Sequence, residues 1–138
     1  MYTSQKTVMV VDDQVSIRKM IKEFLLITGY EPFEASDGME ALDLAVREKP
    51  DIALVDINLP GIDGISLFRC MKKICPELMA IFMSGSSDIW TIKRANEEGV
   101  VDFLIKPFDI LELLDILNNC SASRIASRGE KNGIRCKI

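Results

Sequence analysis

Short, dense apolar runs alternate along this chain with longer segments in which apolar residues recur every three or four positions. The runs are "TVMVV" (Thr7–Val11), "EPFEA" (Glu31–Ala35), "DIALVD" (Asp51–Asp56), "LMAIFMS" (Leu78–Ser84) and "VVDFLI" (Val100–Ile105). Each has the length and residue types of a β-strand. The first, third and fourth are nearly continuous, as expected of inner parallel strands covered on both faces. The second carries Pro32 and two glutamates, and the fifth interleaves Asp102 with Val101, Phe103 and Ile105, so both suit the edges of a sheet.

Between the strands the spacing predicts helices. Ile17, Met20, Ile21, Phe24 and Leu25 share one face over Ser16–Thr28, and Gly29 follows at a position suited to a left-handed cap. Asp37-Gly38 precedes a second helix with Ala41, Leu42 and Ala45 on one face. Asp63-Gly64 precedes a third, with Leu67, Phe68, Met71 and Ile74, and Pro76 ends it. The fourth is expected over Ser86–Glu98, closed by Gly99, and carries Trp90 either in the core or as an exposed contact residue. Asp109, after Pro107, can cap a fifth helix with Ile110, Leu113, Leu114 and Leu117 turned inward. Leu111 and Ile116 flank that stripe and suggest a dimer or partner surface. Five strand–helix repeats imply right-handed crossovers and an α/β fold with a parallel sheet. Ligands of such sheets bind beyond the carboxyl ends of the strands, where the strand order reverses.

Composition narrows the class. The 138 residues suit one domain, and 48% apolar with 28% charged residues describe a soluble globular protein. No apolar run approaches a membrane span, and the start lacks the regions of a secretory signal, so a cytoplasmic protein is expected. The absence of histidine excludes Ser-His-Asp and Cys-His catalysis and histidine-ligated metals. Cys70, Cys75, Cys120 and Cys136 lack zinc-site spacing, and a cytosolic setting argues against a disulfide framework. Residues 121–138 hold five basic groups against Glu130, whereas residues 1–120 hold 12 basic and 20 acidic groups. An acidic body is a poor nucleic-acid binder. Periodicity fades after Cys120, so a domain over 1–120 and a basic tail or linker over 121–138 are expected.

The polar residues at the strand ends change the picture most. The first strand ends in Asp12-Asp13, the third in Asp56, the fourth in Ser84-Gly85 and the fifth in Lys106-Pro107. One rim therefore receives three carboxylates, a hydroxyl and an ammonium. Each alone would read as a turn or a cap, but all fall on the same rim. Two like unit charges about 4 Å apart repel by about 4 kcal/mol at an effective dielectric near 20. Lys106 offsets one charge and a divalent cation would offset two more. Hard oxygen donors favour Mg2+, with Mn2+ as an alternative, and such a rim suits the handling of phosphate.

The stretches "VMVVDD", "ALVDINLPGIDG", "FMSGSSD" and "VVDFLIKPFD", with their spacing, resemble the receiver domain of two-component response regulators over residues 6–120. The resemblance implies a flavodoxin-like (βα)5 three-layer sandwich with a central parallel sheet of order 2-1-3-4-5. It implies that Asp56 is the phosphoacceptor, that Asp13 binds Mg2+ directly and Asp12 through water, and that the backbone carbonyl of Asn58 is a further metal ligand. Lys106 would pair with the acceptor carboxylate and then with its phosphoryl group, and Ser84 would donate its hydroxyl to a phosphoryl oxygen. Phe103 matches the switch aromatic, and Pro107 matches a proline that is typically cis. The donor would be a phosphohistidine on a sensor histidine kinase or a phosphotransfer protein.

Signal output, by the same resemblance, would pass through the fourth helix, fifth strand and fifth helix to a downstream protein, an output domain or a second copy. Such a chain is no conventional enzyme, but it would supply the catalytic groups for its own phosphorylation and dephosphorylation. Gln14 stands where an acidic residue is frequent, Val100 follows Gly99 where alanine is frequent, and Phe103 lacks a tyrosine hydroxyl. Three other readings compete. A degenerate receiver would act as an adaptor without phosphorylation, against which Asp12, Asp13, Asp56, Ser84 and Lys106 all stand. A flavin-binding protein would need a Ser/Thr/Gly-rich loop where this chain has "DDQVSIRKM". A haloacid-dehalogenase-like phosphatase would need an aspartate in place of Asn58. Eighteen residues after Cys120 are too few for a DNA-binding module, so the chain reads as a stand-alone receiver or as one cut from a longer chain.

Overall fold

The computed structural model describes residues 6–85 and 89–126. The elements are β1 (Thr7–Val11), α1 (Val15–Ile27), β2 (Glu31–Ala35), α2 (Gly38–Glu48), β3 (Ile52–Asp56), α3 (Gly64–Ile74), β4 (Met79–Ser84), α4 (Ile89–Glu98), β5 (Asp102–Ile105) and α5 (Ile110–Ala126). They fall into two compact units, one ending at Lys106 and the other opening at Pro107.

In the first unit all neighbouring strands pair in parallel, in the order β2-β1-β3-β4-β5. With four helices in this unit and a fifth in the second, the element order is that of the flavodoxin-like (βα)5 fold implied by the resemblance to receiver domains. The inner strands β1, β3 and β4 are buried almost throughout, while β2 and β5 are the half-exposed edges. Period-2 alternation sends side chains to both faces. Met9, Val11, Ala53, Val55, Ala80 and Phe82 join one core with Ala41 and Ala45 of α2, Leu67, Phe68 and Met71 of α3, and Ala95 of α4. Phe68 meets Phe82 edge-on, with ring centroids 5.8 Å apart. The opposite face presents Val8, Val10, Leu54, Ile81 and Met83, all fully buried, and α1 packs on β1 and β2 with Ile21 and Leu25 buried.

Local signals explain where the helices start. Asp37 caps α2 by accepting from the Glu40 N–H, and Asp63 caps α3 by accepting from the N–H groups of Ile65 and Ser66. Gly38 and Gly64 have a second reason to be glycine. A Cβ on Gly38 would lie 2.5 Å from Ile62 Cγ2, and one on Gly64 would lie 2.8 Å from Ile57 Cα. The segment that follows Asp56 is thus seated against the first turns of two helices. Helix α4 buries Ala95 alone, and its Glu98 is clasped by both arms of the Arg69 guanidinium from α3. Trp90 on α4 is 71% exposed, so it is not a core residue. The start of the fourth helix at Ser86 lies outside the described residues.

In the second unit, Asp109 accepts from the Leu111 N–H and so caps α5. Leu113, Ile116, Leu117 and Cys120 are buried at helical spacing. Leu111 is exposed as expected, but Ile116 is not, because it falls one turn above Cys120 on the buried stripe. The helix runs to Ala126, past the point at which the apolar periodicity fades. Among the described residues, no helix is long and apolar enough to cross a membrane.

Candidate functional site

The register brings the carboxyl ends of four strands level. Val11 lies beside Val55, Asp56 beside Met83, and Ser84 beside Ile105. The residues next in line therefore share one rim, at the reversal of strand order between β1 and β3. Asp12, Asp13 and Asp56 each place a carboxylate oxygen within 4.8 Å of the others. Lys106 reaches into the group from the end of β5. Its ammonium donates to Asp12 Oδ2 at 2.7 Å and to Asp56 Oδ2 at 3.1 Å.

Asp12 is 0% exposed, and each of its polar atoms has a partner. Its N–H donates to the Ala35 carbonyl at 3.2 Å, the last rung toward β2. Its own carbonyl accepts from Arg18 Nη1 at 2.7 Å. Oδ1 accepts from the Gln14 N–H at 2.9 Å, which closes a turn after the strand, and Oδ2 takes Lys106. Complete satisfaction is what allows a carboxylate to sit at zero exposure.

Asp56 is 7% exposed. The ladder continues one residue beyond it, from the Ile57 N–H to the Met83 carbonyl, so its backbone is clamped on both sides. Oδ1 accepts from the Asn58 N–H at 2.9 Å and Oδ2 from Lys106, which leaves further acceptor capacity on both oxygens. Asn58 Nδ2 points at Ser84 Oγ from 3.5 Å, at the long limit of a hydrogen bond. Ser84 is buried at the end of β4, and its carbonyl accepts from the Lys106 N–H at 2.7 Å. Burial alone would push the Lys106 ammonium down, but the hydrogen bonds and negative charge of Asp12 and Asp56 outweigh it and hold the group above the ordinary lysine value. Lys106 is therefore a fixed cation at any physiological pH.

Three carboxylates and one ammonium leave a net negative rim of hard oxygen donors. Asp13 is exposed, so the rim opens to solvent on that side. This donor set fits a hard divalent cation that keeps part of its water. Phe103 lies three residues before Lys106 on β5, half-buried and packed against the core beside Phe82. Pro107 is exposed at the start of the second unit.

The residue that the sequence reading passed over is Arg18. It donates through Nε to Glu34 Oε1 at 3.0 Å and through Nη1 to Asp12, while Lys22 holds the other Glu34 oxygen at 3.0 Å. Glu34 counts in the sequence only as a mark of an edge strand. A helical basic residue four positions after Gln14 stands above the turn that follows the Asp pair, and this spacing is the available signal.

Comparison with known proteins agrees with the geometry. The family model for the response regulator receiver domain matches residues 8–118. Sporulation initiation phosphotransferase F of Bacillus subtilis is 37% identical over 108 residues, which cover 78% of this chain and 87% of that protein. The DNA-binding transcriptional regulator NtrC of Klebsiella pneumoniae is 36% identical, and there the match spans 79% of this chain but 23% of the relative. A response regulator receiver domain protein from Clostridium thermocellum superposes with a TM-score of 0.82 at 28% identity, covering 88% of this chain and 98% of that one. A Burkholderia pseudomallei response regulator, solved with a phosphorylated aspartic acid, a calcium ion and citrate, superposes with a TM-score of 0.77 at 26% identity, covering 95% and 78%. With most of its length inside the family match, the chain belongs to the response regulator receiver domains.

Proposed function

We propose that this receiver domain accepts a phosphoryl group on Asp56 from a phosphohistidine, carried by a sensor histidine kinase or a phosphotransfer protein. The observation that carries the reading is the shared grip of Lys106 on Asp12 and Asp56 beside a third carboxylate, Asp13. In the transfer, the donor's phosphorus–nitrogen bond breaks and a bond forms between phosphorus and an Asp56 oxygen. The imidazole departs with the electron pair. A carboxylate is a weak nucleophile, so positioning and charge neutralisation supply most of the rate. Asp13, Asp56 and the Asn58 carbonyl would hold Mg2+ or Mn2+, with Asp12 behind water. When bound, that cation neutralises charge on the transferring oxygens.

Lys106 does the same work from the other side. Its ammonium, 3.1 Å from Asp56 Oδ2, needs little movement to reach an oxygen of the new phosphoryl group. Ser84 offers its hydroxyl from the end of β4. Its shift toward the phosphoryl group would free space beside β4 into which Phe103 turns, and the changed surface of α4 and β5 would be read by a downstream protein or output domain. A cytoplasmic setting belongs to the same reading.

Intact-protein mass tests the reading. The chain is incubated with a small acyl phosphate, with and without Mg2+, as wild type and as Asp56→Asn. A Mg2+-dependent gain of one phosphoryl group, absent from Asp56→Asn, is the expected result. No gain under any condition would leave the phosphorylation-independent adaptor in its place.

A further inference from the structure

Arg18 stands outside the set of residues that touch the reacting groups, yet it is the side chain that joins α1 and β2 to the acidic rim. We propose that Arg18 is a positioning residue for the cation site: its guanidinium holds the Asp12 carbonyl and thereby sets the turn that delivers Asp12 and Asp13. The inference rests on the reading of that rim as a phosphoryl-transfer site.

Three constraints fix the backbone at residue 12. The N–H is tied to Ala35 in β2, the side chain is tied to the Gln14 N–H, and the carbonyl is tied to Arg18. The first belongs to the sheet and the second is local to the turn. Only the third reaches the turn from the helix that follows it. Asp13 is exposed, so the backbone on either side, which sets the direction of its Cα–Cβ bond, decides where its carboxylate can reach. Arg18 is itself set by Glu34, whose Oε1 accepts from Nε while Oε2 accepts from Lys22. The side chain of Arg18 is mostly buried, and a planar fork bound at two points has one direction available. A lysine has no fork and cannot hold Asp12 and Glu34 in that geometry.

Charge and positioning make opposite predictions. A guanidinium beside the rim repels an incoming cation, so on Coulomb grounds its removal tightens Mg2+ binding. If Arg18 positions the turn, its removal weakens binding. The charge-retaining Arg18→Lys separates the two further, since it should be neutral on charge grounds and damaging on positioning grounds.

The full chain is titrated calorimetrically with Mg2+ alone, as wild type, Arg18→Lys, Arg18→Gln and Glu34→Gln, with circular dichroism melts to establish that each is folded. We expect both Arg18 variants to raise the Mg2+ Kd about tenfold, the lower range for loss of a group that orients a metal ligand. In phosphorylation by an acyl phosphate, the loss should fall on the Mg2+ concentration at half-maximal rate more than on the maximal rate. Unchanged or tighter Mg2+ binding in the folded Arg18 variants overturns the inference. Should those variants fail to fold, Glu34→Gln carries the test in about 0.5 M KCl, where the lost charge is screened: a raised Kd there supports the clasp and an unchanged one overturns it. If wild type neither binds Mg2+ nor gains mass, the underlying reading of the rim fails first and takes this inference with it.

Discussion

Asp12 and Asp56 carry the same pair of side-chain hydrogen bonds, one oxygen on the N–H two residues on and the other on Lys106, and they differ in exposure. Asp12 is closed off from solvent, whereas Asp56 keeps a small opening through which a donor could approach. Ser84 divides binding from response: Ser84→Ala should still gain a phosphoryl group by mass, while its partner response falls, and a full response from the phosphorylated variant would sink the coupling. Glu34 gives a pH test. Hydrogen bonds from Lys22 and then Arg18 hold its carboxyl below the ordinary value of 4.5. A carboxyl lowered by folding stabilises the fold above its unfolded pKa and loses that contribution as pH falls through the folded one. The urea midpoint of wild type should therefore exceed that of Glu34→Gln above pH 4.5, and the gap should close in more acidic buffer. The gap will be small, because Glu34 is partly exposed and solvent screens the pair.

Among the elements, the meeting of α2, α3 and the segment after β3 matters most. Gly64 allows the first turn of α3 to come so close to Ile57 that a methyl group would collide with backbone. Gly64→Ala should cost about 1–3 kcal/mol in denaturant unfolding, as overpacking does. It should also slow phosphorylation of Asp56, because the collision lies one residue beyond the acceptor. A Gly64→Ala chain with wild-type stability would show that the segment yields freely. The same glycine shows the limit of pattern reading. Asp63-Gly64 announces a helix start in the sequence, and Asp63 is indeed the cap, but the need for a bare α-carbon comes from a neighbour seven positions back. The strands were legible to within two residues because period and residue type are local properties. Ile116 was misread because the apolar stripe of α5 is wider than the spacing of its leucines suggests.

For the whole molecule, a cation that binds only the folded rim must stabilise the fold. Mg2+ at one hundred times its Kd should add about 2.7 kcal/mol to unfolding, and Asp13→Asn should lose most of that gain in a thermal melt. An equal gain in Asp13→Asn would place the cation elsewhere. The rim itself was legible before any coordinates, since a parallel sheet gathers its strand ends and the polar residues at those ends are few. The clasp of Arg18 and Glu34 was not, because it joins a helix to an edge strand through residues whose sequence context says only that they are charged. One exposed side chain has a practical meaning of its own. Trp90 is the chain's sole tryptophan and sits on α4, the least deeply buried helix of the first unit. Indole emission from the unlabelled protein is therefore emission from that helix, and a change of its colour or quenching on phosphorylation would report the switch optically, with no dye attached.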